Sequence, residues 1–141
     1  MSILERPEPI TAALRDTIAA RALTVDDQPV VVHLDDADWA AGQVILEALT
    51  PQPEHLTMTG ASRATLPVQV WSVAASRSMA RALGSHVRET LTGTNRGRRL
   101  YPVTVEGAMV DLIRSQEDGH LQDGPGLYAW VETYDVRFQG V

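Results

Sequence analysis

The sequence predicts an α+β fold, a small, mostly antiparallel sheet with two helices packed on one face. Three observations predict it. Ile10, Leu14 and Ile18 recur every four residues, which makes one apolar stripe on a helix. Met79, Leu83, Val87 and Leu91 repeat the pattern. Residues 66–73 and 127–139 alternate at period two instead, as strands do.

The first helix is placed near residues 8–22, with Pro9 in the first turn, where a missing N–H costs nothing. Val30, Val31 and Val32 are β-branched and bounded by turn residues, so a strand follows. Residues 35–49 are ambiguous. Asp38 suits a cap for a helix over 39–49, whereas Gly42 and the Val44-Ile45-Leu46 run suit a loop and a second strand. The strand is preferred. Residues 50–65, with Pro51, Pro53 and Gly60, are expected to be loop or irregular edge.

In the next segment Leu66, Val68 and Val70 face one way and Gln69, Trp71 and Val73 the other. Bulk on both faces marks a central strand, with Pro67 as its first residue. Ser76 caps the second helix, Ala80 and Ala82 flank its stripe, and Gly84 suggests a close helix–sheet approach. Gly93 ends it as a C-cap. Gly107 marks a bulge or bend between two short β-rich pieces, and residues 116–126 read as a long turn. In the last segment Tyr128, Trp130, Tyr134, Val136 and Phe138 share a face with Glu132, while Leu127, Ala129 and Val131 lie opposite. That pattern predicts a hairpin from about 108 to 139.

At 141 residues the chain suits a single domain spanning 1–141. No apolar run approaches the roughly 20 residues of a membrane helix. The opening MSILERPEPI carries acids and prolines where a signal peptide needs an apolar stretch, so export is not expected. Without cysteine there is no disulfide, thiolate nucleophile or cysteine-based zinc site. The net charge of −6 repels nucleic acid at long range. All 12 basic residues are arginine, as a GC-rich coding genome favours. Acids crowd at Asp26-Asp27 and again at Asp35, Asp36 and Asp38; arginines crowd at Arg96, Arg98 and Arg99.

Chemistry-bearing patterns are sparse. His33, His55, His86 and His120 are scattered, with no HxH or HExxH spacing, so no metal site is expected. Ser85 and His86 are adjacent on a helix and point about 100° apart, which is no dyad. TGTNRGRR lacks the lysine and following hydroxyl of a phosphate loop, and Ser62 in GASRA fails the GxSxG pattern. The acids at 35–38 lack the spacing of a calcium loop. No set of nucleophile, base and oxyanion donors can be assembled, so the sequence points away from an enzyme and implies no cofactor. Arg96, Arg98 and Arg99 suit either a grip on carboxylates or a solvated linker. Tyr128 and Trp130, on a strand holding four of the seven aromatics, suit either core or a subunit contact.

The order of elements resembles the tail-terminator (tail-completion) proteins of long, non-contractile-tailed bacteriophages. Three features carry it: the opening helix, the unit VQVWSVAASRSMARALGSHVRETL, and the closing hairpin ending YAWVETYDVRFQGV. Residues 35–65 do not match clearly. The resemblance implies a virion structural protein, made in the host cytoplasm, that forms a ring, usually hexameric. Such a ring caps the tail tube, ends its polymerisation and takes part in head–tail joining. Its partners are then copies of itself, the major tail-tube protein and the head-side connector, with DNA passing through the lumen without specific binding and no membrane involved. In a ring, the basic cluster Arg96, Arg98 and Arg99 would complement the acidic cluster Asp35, Asp36 and Asp38 of the next subunit. The alternatives are a head–tail connector or stopper, and a small-ligand-binding α+β dimer with its aromatic face lining a pocket.

Overall fold

A computed structural model describes residues 6–35, 38–54, 63–116 and 118–140. Asp36, His55 and Ser62 lie outside the described residues. The elements run α1 (Glu8–Ala20), β1 (Thr24–Val25), β2 (Gln28–Pro29), β3 (Val31–Leu34), β4 (Gln43–Ala48), β5 (Gln52–Glu54), β6 (Arg63–Ala74) and α2 (Arg77–Thr92). They continue with β7 (Thr94–Asn95), β8 (Arg98–Arg99), β9 (Ala108–Ser115), β10 (His120–Gly124) and β11 (Leu127–Gly140). The class is α+β, as the patterning predicts. No helix among the described residues is long and apolar enough to cross a membrane.

Seven strands form the main sheet in the order β10-β11-β6-β4-β3, with β5 also on β6 and β9 also on β11. Only the β3–β4 pair among them is parallel; the others are antiparallel. The ambiguous segment resolves as β4. Its Val44 and Leu46 enter one apolar cluster and Ile45 another, the division that period-two alternation imposes. The first cluster joins Leu14 and Ile18 of α1, Leu83 and Val87 of α2, Leu66 and Val68 of β6, and Tyr134 and Phe138 of β11. Ile45, Val73, Ala129 and Val131 form the second, with Trp39, Trp71 and Leu127 packed against it.

Four expectations need correction. Pro67 is inside β6, not at its start. Its carbonyl accepts from Leu49 N–H at 2.8 Å. The ring nitrogen, which has no hydrogen to give, therefore faces the break between Ala48 of β4 and Gln52 of β5. The supposed long turn over 116–126 contains β10, paired antiparallel with Leu127–Val131. Its sequence is polar because it sits at a solvated sheet edge, where charge blunts unwanted pairing. Residues 50–65 likewise contain β5 and the start of β6. On α2 the buried line is Ala80, Leu83, Gly84, Val87, Thr90 and Leu91; Met79 falls at its margin and Ala82 is exposed.

Both ends of α2 follow from local chemistry. The Ser76 hydroxyl accepts from Met79 N–H at 3.2 Å, satisfying one of the free donors of the first turn. Gly93 is the C-cap, yet its backbone is extended (φ −63°, ψ 134°), not left-handed. A side chain there would run into the Glu89 carbonyl and Leu100, so space is the requirement at this glycine. Gly84 meets the expected close approach: a Cβ would fall on the Trp130 side chain of β11.

Candidate interaction surfaces

The arginine cluster is not a linker. Thr94 pairs with Arg99 and Asn95 with Arg98, making a two-stranded ribbon directly after α2. Arg96 (φ +55°) and Gly97 (φ +77°) form its turn. Two successive positive φ angles define a type I′ turn, whose twist suits a tight hairpin. The ribbon divides the three arginines. Arg96 and Arg98 are exposed. Arg99 folds back, its Nη2 donating to the Leu91 carbonyl at 2.6 Å. Burial pushes its guanidinium below the usual arginine value. It neutralises one of the free carbonyls at the negative end of α2.

Of the acidic cluster, Asp35 and Asp38 are exposed and Asp36 lies outside the described residues. Asp35 takes a positive φ of +58° and donates its N–H to the Leu46 carbonyl at 2.7 Å, which turns the chain away after β3. The other acidic pair, Asp26 and Asp27, occupies the turn of the β1–β2 ribbon, with φ of +53° and +62°. Both are exposed. The described residues thus include two type I′ ribbons, one tipped with acids and one with an arginine.

The aromatic residues are engaged within the chain. Tyr128 lies under the Arg77 guanidinium, 5.5 Å from the ring centroid, and Arg77 reaches Asp123 at 3.4 Å. Trp130 is held between Gly84 of α2 and Gly119, and its indole N–H donates to Glu132 Oε1 at 3.1 Å. Glu132 is buried to 3% exposure. Arg88 of α2 places Nε 3.3 Å from its Oε2, an ion pair without hydrogen-bond alignment. The Tyr134 hydroxyl is pushed well above the usual phenol value, first by burial and then by the charge and hydrogen bond of Glu132. A polar cluster therefore lies beside α2, at the foot of an open recess lined by Arg81, Ser85, Arg88 and Trp130. The one sequence signal for it is an acid placed on an otherwise aromatic strand face.

Outside the core, Val31, Leu100 and Met109 are large, apolar and about half exposed. An open groove of about 390 Å³ runs between the β1–β2 ribbon and α2, lined by Thr24, Val25, Asp26, Met79, Ala82, Leu83 and His86. Among the described residues no group of three or more metal-ligating side chains converges. His33 lies 3.3 Å from the Gln43 side chain on the neighbouring strand.

No family model and no curated protein matches this chain. Its fold matches a chain in the solved structure of the virion of a native gene transfer agent (GTA) particle. That chain is 13% identical, with 93% of this chain and 95% of that one covered and a TM-score of 0.58. The likeness is one of fold.

Proposed function

We propose that the protein is a non-enzymatic virion subunit that forms a ring at the end of a phage-type tail tube, stops the tube's growth and joins it to the head-side connector. The observation that carries this reading is the end-to-end fold likeness to a chain of a gene transfer agent virion. The resemblance of α1, the β6–α2 unit and β11 to tail terminators supports the finer position at the head–tail junction. The electrostatics suit it. Subunits of −6 repeated around a ring make an acidic assembly to which passing DNA does not adhere.

A ring needs a heterologous contact, one patch on each subunit fitting a different patch on the next. Exposed Arg96 and Arg98 supply the basic patch, and one of the two exposed acidic pairs, Asp35 and Asp38 or Asp26 and Asp27, supplies the acidic one. Arg99 is not part of it, because its guanidinium caps α2. The purified protein is expected to be monomeric or a low oligomer when dilute and to form rings when concentrated or in the presence of tail tubes.

Light scattering with negative-stain imaging checks the rings, and the double variant Arg96→Gln/Arg98→Gln checks the contact. Exposed ion pairs contribute roughly 0.2–1 kcal/mol each, so the variant is expected to assemble more slowly and several-fold more weakly at low salt. It should approach the unaltered protein at high salt, where screening removes the difference. Equal assembly at low salt would remove the arginines from the interface. A stable dimer retaining a small molecule would instead favour the ligand-binding reading.

A further inference from the structure

We infer that the basic ribbon has a specific seat, the groove between the β1–β2 ribbon and α2 of the next copy of this chain. The inference rests on the ring reading above and names which acids the arginines meet. Asp26 is at once an exposed acid and part of the lining of a groove that Val25, Met79, Ala82 and Leu83 share with Thr24 and His86. Asp27 stands beside it in the same turn.

The β7–β8 ribbon is the matching projection. Arg96 is at its tip, Arg98 on its second strand, and Leu100 at its base, where the chain bends after β8. Leu100 is 43% exposed. Leu100 N–H bonds to the Gly93 carbonyl at 3.0 Å, and Tyr101 lies under Arg21 at 4.1 Å, so the ribbon's base is anchored. A projection carrying two exposed arginines, with half-exposed Leu100 at its base, thus complements a groove of mixed lining edged by two exposed aspartates. The ribbon leaves the C-terminal end of α2, while the groove lies beside residues 79–86, nearer its N-terminal end. Projection and groove therefore stand at different places along a helix about 24 Å long. Two separate patches allow a head-to-tail contact that closes into a ring, and the ring reading selects it over a two-fold pair that makes the same contact twice.

The turn chemistry gives independent support. A type I′ turn favours asparagine, aspartate or glycine at both central positions. Asp26 and Asp27 comply, and Gly97 complies, but Arg96 does not. A long cation held at positive φ is explained if its charge is used. Arg96→Asn is therefore expected to raise the thermal midpoint while weakening assembly.

The test is a mixing experiment on the full chain, read by light scattering and native mass spectrometry, with circular dichroism to confirm folding. Asp26→Arg/Asp27→Arg and Arg96→Asp/Arg98→Asp are each expected to assemble at least tenfold more weakly than the unaltered protein. Mixed in equal amounts they should form even-numbered rings of alternating copies, recovering to within about threefold. If arginine at positive φ unfolds the first variant, Asp26→Asn/Asp27→Asn keeps the turn and should still weaken assembly several-fold. Leu100→Asp should weaken it as well.

Rings in the unaltered protein with no recovery on mixing would overturn the seat and leave the ring standing. The seat also fails if Asp35→Arg/Asp38→Arg, in place of the Asp26/Asp27 variant, restores rings in the mixture. Absence of rings in the unaltered protein at every concentration would overturn the ring and the seat with it.

Discussion

Leu83→Ala is expected to destabilise the protein by about 2–5 kcal/mol, the span for emptying a buried leucine site. Leu83 is 2% exposed and lies in the cluster that joins both helices to β4, β6 and β11. Its neighbours Gly84 and Val87 are also buried, and Gly84 already lets Trp130 approach the helix closely. Urea unfolding at neutral pH gives the number. A loss below 0.5 kcal/mol would mean that α2 turns another face to the sheet.

Glu132→Ala is expected to cost a comparable amount by another route. It leaves the half-buried Trp130 N–H without its acceptor, and an unsatisfied buried donor costs about 1–3 kcal/mol. The lost ion pair adds little, because the Arg88 side chain is 47% exposed and its charge can turn to water. A loss under 1 kcal/mol would show the cluster to be hydrated.

The same cluster predicts an alkaline limit. The Tyr134 hydroxyl has its folded value raised above the ordinary 10.0. Its contribution is complete below that ordinary value and is lost as pH rises above it, because only the unfolded chain then ionises. Stability should fall above pH about 10 in the unaltered protein, and less steeply in Tyr134→Phe. Parallel pH profiles for the two proteins would assign the alkaline loss to other groups.

Much of this architecture is legible in the sequence where burial is one-sided or strictly periodic. The 3.6-residue stripes of α1 and α2 are set by a single buried face, and the alternation in β6 and β11 by two apolar clusters on opposite faces, so sequence and structure agree. β10 escapes because a polar strand at a solvated edge has the composition of a turn. The parallel pairing of β3 with β4 escapes because both directions present the same residues to the core. The two ribbons are too short to show a period, though Asn95-Arg96-Gly97 holds a turn signal in its glycine. Among the site residues, the role of Arg99 depends on a carbonyl at the end of a helix and that of Glu132 on an arginine across the helix–sheet interface. Composition carries neither piece of information.

The pairing of β6 with β11 also governs how quickly the chain reaches this structure. Twelve register pairs run from Tyr128 opposite Ala74 to Gln139 opposite Arg63. Each of them closes a loop that contains α2, the β7–β8 ribbon, β9 and β10. Bringing such distant segments together spends chain entropy before any of the contacts is won. Proteins dominated by pairings of this kind fold in milliseconds to seconds, whereas helical bundles of local contacts need microseconds to milliseconds. α2 can form early on its own capping and spacing and rest on β6, but its apolar side is fully covered only when β11 arrives. The rate-limiting event is thus the meeting of the two longest strands, and substitutions at their shared register should slow refolding more than equally destabilising ones in α1.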